Sequence, residues 1–179
     1  SSWSPSEGNL RKLQRHYGGP TDSPLVRQMT ACAADGPLMM HVMKMYSSPD
    51  GTKFSALARV YSGTVRVGQR VRVLGEGFVL HEDEEDAAVE VVLGLSLPGG
   101  RYNITVGAAP AGSWVLVEGI DASIRKTATI TDTDASSLDA ETFRPLKFND
   151  CAVVKVAIEP LLPAELPKMV EAMRKVGKS

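Results

Sequence analysis

The sequence is short of the residue types that build most active centres. Its 179 residues include two cysteines, Cys32 and Cys151, and three histidines, His16, His41 and His81. These spacings match no zinc pattern, and two cysteines do not make a disulfide framework. They read as reduced thiols of an intracellular protein. Aromatic residues make up 6% of the chain, so most apolar burial must come from aliphatic side chains. No apolar run approaches the roughly 18 residues that mark a membrane span, and Ser1-Ser2-Trp3-Ser4-Pro5 lacks the apolar core of a signal peptide. Neither sign of charge dominates: 20 Lys and Arg stand against 21 Asp and Glu, a formal net charge of -1. That excludes a whole-molecule field that gathers nucleic acid, but not a local basic patch.

Catalytic constellations are missing as well. Ser123-Ile124-Arg125-Lys126 fits S-x-x-K without the companion motifs of that hydrolase class, and there is no G-x-S-x-G elbow. The three histidines lie far apart in sequence and without a matching Ser or Cys. Gly177-Lys178-Ser179 resembles the end of a phosphate-binding loop. The full pattern needs a Gly five residues before Gly177, where Ala172 stands, and it should open a helix rather than close one. The sequence therefore predicts no catalytic, cofactor-binding or metal-binding residue in this chain. Asn103-Ile104-Thr105 is a glycosylation sequon, without meaning in an intracellular protein.

What the sequence does have is valine-rich alternation. Residues 1–36 are polar, loop-like and partly extended, with a short helix at Leu25–Ala34. Strands are predicted at Leu38–Tyr46, Phe54–Tyr61, Val89–Leu95, Tyr102–Val106, Ser113–Glu118 and Thr127–Thr131, separated by turn residues. Between them Val65, Val67, Val71 and Val73 alternate with Arg66, Gly68, Arg70 and Arg72, giving one apolar and one basic face. Many short strands with regular turns predict a β-barrel, which hides its own edges. A linker-like stretch, Thr131–Glu141, follows. Then come a predicted strand, Cys151–Glu159, and a helix whose Leu166, Met169, Val170, Met173 and Val176 share a face. One strand cannot bury that stripe, so the chain from residue 142 reads as the truncated start of a second unit. The predicted organisation is a lead-in (1–36), a barrel (37–141) and the first β-α unit of an α+β, ferredoxin-like domain (142–179).

Two features are candidates for docking. Arg66, Arg70 and Arg72 share a predicted strand face, which is either a solvated face or a phosphate-contacting patch. His81-Glu82-Asp83-Glu84-Glu85-Asp86 is a dense acidic run without the Gly and alternation of a calcium loop. It reads as a solvated loop or as a contact for a basic partner segment.

The run Arg59-Val60-Tyr61-Ser62-Gly63-Thr64-Val65-Arg66-Val67-Gly68 with Gln69 to Gly75 is similar to the second-domain barrel of translational GTPases. Asp35-Gly36-Pro37-Leu38-Met39 with Lys44-Met45 looks like the start of that barrel in elongation factor 2 and its relatives. Val73-Leu74-Gly75-Glu76 with the acidic run resembles one branch, the elongation-factor-2-like GTPase of the spliceosomal U5 small nuclear ribonucleoprotein, the 116 kDa component family. Pro110 to Gly119, Lys126 to Thr131, Phe143 to Asn149 and Glu165 to Met169 agree with it. The resemblance spans residues 17–179. Two stretches depart from it: Pro98-Gly99-Gly100 predicts a looped barrel edge, and residues 1–16 a different path. It implies a parent with an upstream GTPase domain, which would take GTP and Mg, and further domains downstream. It implies nuclear work in pre-mRNA splicing, with the large scaffold protein, the RNA helicase and the U5 small nuclear RNA as partners and no membrane. The alternative is the corresponding part of a ribosomal translocase, elongation factor 2, which the acidic run argues against.

Overall fold

The computed structural model describes residues 5–48, 51–78, 87–133, 140–145 and 153–178. Two helices, α1 (Pro5–His16) and α2 (Pro24–Ala31), lead into the strands β1 (Met39–Ser47), β2 (Phe54–Ser62), β3 (Thr64–Arg66), β4 (Arg70–Leu74) and β5 (Ala87–Val91). Then follow β6 (Gly94–Gly99), β7 (Tyr102–Thr105), β8 (Ala108–Pro110), β9 (Trp114–Glu118), β10 (Ala128–Asp132) and the helix α3 (Leu166–Lys178). The fold is mainly β, as predicted.

Eight strands form one sheet in the order β5-β4-β10-β1-β2-β9-β6-β7. β5 runs on into β6 through Val92 and Leu93, and these two halves pair with β4 and β9. One long bent strand thus joins both ends of the sheet and closes it as a barrel. Val92 accepts the Gly68 N–H at 2.8 Å, and the Leu93 N–H reaches the Glu118 carbonyl at 2.9 Å, which holds the bend.

Period-2 alternation fills the interior. Phe54, Ala56, Ala58 and Val60 of β2, Val71 and Val73 of β4, Val115 and Val117 of β9, and Ala128 and Ile130 of β10 all point inward and are buried. On β1 the inward residues are Met40, Val42 and Met45. The odd step from 42 to 45 requires an extra residue, and the pairing register shifts there, between Val42 and Lys44.

Several expectations need correction. Residues 5–16 are not loop but helix α1, because Leu10, Leu13 and Tyr17 recur at helical spacing and Leu13 and Tyr17 are buried. The predicted arginine strand is two strands. Gly68, at φ +82°, turns the chain between them, so Arg66 lies in β3, paired with β8, while Arg70 and Arg72 lie in β4. Val67, assigned to the apolar face, is instead 44% exposed in that turn. Pro98 and Gly99 are not a loop: they pair with Asn103 and Tyr102 in the β6–β7 hairpin. The strand expected over Cys151–Glu159 is not seen in its described part, residues 153–159, which are exposed and pair with nothing among the described residues. An extended segment becomes a strand only when another backbone satisfies it. The helix beyond it forms as predicted.

Candidate docking surface on the outside of the barrel

The outer faces of β10, β1 and β2 carry a second buried cluster. Met39 and Tyr61 face outward and are covered by Leu13 and Tyr17 from the first helix and its end, Val26 and Met29 from the second, and Ala140 and Phe143. Phe143 is the keystone. Its ring stacks on His41 at 4.7 Å with a 10° interplanar angle, stacks on Tyr61 at 4.9 Å, and meets Tyr17 edge-on at 5.4 Å. Its backbone N–H donates to Thr129 Oγ1 at 2.6 Å. The Glu141 N–H donates to the Tyr17 hydroxyl at 3.1 Å, and the Gly18 N–H to the Thr142 carbonyl at 2.9 Å. Residues 140–145 therefore clasp the lead-in helices to the barrel wall.

The clasp has an unusual polar centre. His41 is fully buried, and neither ring nitrogen has a hydrogen-bond partner. Burial, with a smaller contribution from His16, holds its pKa down at about 4, so the ring is neutral. Burial also pushes the Tyr17 and Tyr61 hydroxyls above their ordinary value.

A row of register partners crosses this wall: Thr129, His41, Arg59 and Trp114. The Arg59 guanidinium lies 5.4 Å from the Tyr61 ring and 5.8 Å from the Trp114 ring, and its Nε is buried without a partner. Beyond the clasp, Lys44 sits 5.3 Å over the Tyr46 ring.

Arg70 and Arg72 share the outer face of β4, while Arg66 lies in β3. Arg66 lines an open groove of about 480 Å³ with Gln69, Asp35 and Asp132, a mixed-charge setting. Arg70 is exposed on β4, opposite Val91. Arg72 is half-buried, 5.7 Å over the Phe78 ring. Glu82, Asp83, Glu84, Glu85 and Asp86 lie outside the described residues. The Gly177-Lys178 pair closes α3, and the Lys178 ammonium donates to the Asp121 carbonyl at 2.8 Å. That arrangement does not fit a nucleotide's phosphates, so no step involving GTP is assigned to these residues. No group of three or more His, Cys, Asp or Glu side chains among the described residues could hold a metal. His41, Arg59, Trp114 and Phe143 escaped the sequence reading. Counting outward positions on β1, β2 and β9 would have aligned the first three; nothing local marks Phe143 as a keystone.

No protein-family model matches the chain. It is 51% identical over 176 residues to the 109 kDa U5 small nuclear ribonucleoprotein component GFL of Arabidopsis thaliana. It is 50% identical over 176 residues to the 110 kDa U5 component CLO of the same plant, and 43% identical over 178 residues to the pre-mRNA-splicing factor cwf10 of Schizosaccharomyces pombe. Each match covers 98% of this chain and 18% of the relative, so the chain spans about a fifth of the length of these relatives. The chain belongs to the family of spliceosomal U5 components that resemble elongation factor 2. The relatives do not favour the ribosomal-translocase alternative.

In this U5-family chain the motifs that carried the resemblance meet in space. Glu76 of the Val73–Glu76 motif accepts both the N–H and the hydroxyl of Thr127, at 2.8 and 3.0 Å. Gly63 has φ +75°, and a Cβ there would stand 2.7 Å from the Leu38 Cα, so only glycine lets β2 and the Asp35–Leu38 motif cross. The Ser62 hydroxyl closes the same crossing with a 2.6 Å bond to the Pro37 carbonyl.

Proposed function

We propose that this chain is a non-catalytic docking and coupling module of a spliceosomal, elongation-factor-2-like GTPase that works in the nucleus in pre-mRNA splicing. The observation that supports it is the clasp. Lead-in helices, barrel wall and the segment leading towards α3 share one buried cluster around Phe143, so a displacement of either flank is felt by the other through packed side chains. The division into lead-in, barrel and a following unit from residue 142 belongs to this proposal, with residues 140–145 as the joint. So do the partners: the parent's own GTPase domain and later domains, the large scaffold protein, the RNA helicase and U5 small nuclear RNA. GTP and Mg belong to the parent's upstream domain in this reading.

The test is to purify the tagged full-length parent from cells and sequence the RNA that accompanies it. Spliceosomal small nuclear RNA is the expected cargo. Ribosomal RNA alone would overturn the splicing assignment. GTP hydrolysis by the purified chain above background would overturn the non-catalytic one.

A further inference from the structure

We propose that the outer face of β1, β2 and β9, beside the clasp, is a contact site for single-stranded RNA. This gives the docking role proposed above a specific surface and rests on it. Four side chains define the surface: Lys44 and Tyr46 on β1, Arg59 on β2 and Trp114 on β9. The register shift after Val42 turns Lys44 and Tyr46 to the outside, where they pair with Leu57 and Ser55; Arg59 pairs with Trp114. All four therefore share one face. Lys44 is exposed, Tyr46 is 46% and Trp114 39% exposed, and Arg59 is half-buried.

Their chemistry is specific as a set. Each cation lies within about 6 Å of a ring, the range of a cation–π contact. Among the described residues no salt bridge involves Arg59 or Lys44, so neither is neutralised by a carboxylate there. The Arg59 guanidinium is held between two rings and not by an acceptor, and its desolvated Nε marks a cation placed without an internal anion. Exposed rings interleaved with cations on an open sheet face are what unstacked bases and their phosphates require: bases stack on the rings and phosphates meet the cations. Tyr46 and Trp114 pair with positions four residues apart on β2, about 13 Å along the strand at strand rise, room for a short run of nucleotides. An acidic peptide would use the cations but would leave the exposed faces of Trp114 and Tyr46 without a role. A duplex hides its base faces and could not stack on them.

The test uses the full 179-residue chain and a labelled short oligouridylate at low salt, read by fluorescence anisotropy. Wild type binds. Trp114→Ala and Tyr46→Ala each weaken binding at least about tenfold, and Trp114→Phe restores most of it. Lys44→Gln, at an exposed position that leaves the fold intact, lowers the salt dependence by about one phosphate contact. Failure of wild type to bind, or equal binding by Tyr46→Ala and Lys44→Gln, overturns the proposal. So does an oligoglutamate peptide that binds this face while oligouridylate does not, which would assign it to a protein partner. Recovery of ribosomal RNA with the parent would sink the splicing assignment alone and leave this oligonucleotide result standing.

Discussion

Two apolar surfaces lie outside the barrel interior, and the chain treats them differently. On the outer wall of β10, β1 and β2, Met39 and Tyr61 are buried under α1, α2 and Phe143. From residue 153 onward, Val153, Val156 and Leu161 are 96%, 75% and 97% exposed, and the α3 stripe residues Leu166, Val170 and Met173 are 40–49% exposed. Both surfaces are apolar, the first with aromatic residues and the second with aliphatic ones. What separates them is backbone support. The first sits on strands already paired on both sides, so covering it requires only that side chains dock on a fixed template. The second has no sheet beneath it among the described residues, and a lone helix is stable in water mostly through the face it buries. Apolar pattern alone does not decide burial; the presence of a preformed partner does.

The largest effect should come from removing the keystone. Phe143→Ala deletes all three ring contacts in the covered surface and is expected to cost the clasp about 3–5 kcal/mol. Because the barrel interior is a separate cluster, the loss should be local. Hydrogen exchange should show the α1 and α2 amides losing protection while β2, β9 and β10 keep theirs. Unchanged protection of α1 would mean that the helices are held by something other than Phe143.

Acid should open the same surface by a smaller amount. His41 has a pKa of about 4 in the folded protein against 6.5 for the free side chain. Between these values the open state binds a proton that the closed state does not, so clasp stability is full above pH 6.5 and falls as pH drops to about 4, then levels off. Integrated over that window the loss is roughly 3 kcal/mol. His41→Met should abolish this dependence, and since neither ring nitrogen has a partner, it should leave no orphaned acceptor behind. The check is urea unfolding of both proteins from pH 7 to pH 4; parallel curves would remove His41 as the cause.

The barrel was legible because alternation is a local signal with a sharp meaning. Val71 and Val73 against Arg70 and Arg72 fix which face of β4 is inside, and glycines such as Gly63 mark crossings that no other residue tolerates. The hidden parts were those decided by distant chain. Tyr17 and Phe143 meet as antiparallel bridge partners, yet each stands in a polar stretch whose local pattern names no partner. β8 was missed because Ala108–Pro110 is too short to alternate and exists only by pairing with β3. The candidate docking residues were harder still. The arginine row left both a solvated face and a phosphate patch open, and the turn at Gly68 put Arg66 on a different strand from Arg70 and Arg72, while Arg59 and Trp114, far apart in sequence, became neighbours only through the β2–β9 register.

The smallest effect belongs to the uncovered surface, and it is the sharpest check on the comparison. Val170 and Met173 lie on the apolar stripe of α3, 40% and 49% exposed, and α3 reaches the barrel through Lys178. Replacing either by Ala removes side-chain area that is already 40–49% in water, and Ala is the better helix former. The expected change in unfolding free energy is therefore within about 0.5 kcal/mol. Replacing Met173 by Lys should be equally neutral for the fold, yet it should suppress self-association of the chain in sedimentation, because an exposed apolar stripe seeks a partner when none is supplied. A clear loss of stability on Val170→Ala would show that this face is buried in solution. In that case α3 docks on its own barrel, and the two surfaces obey one rule after all.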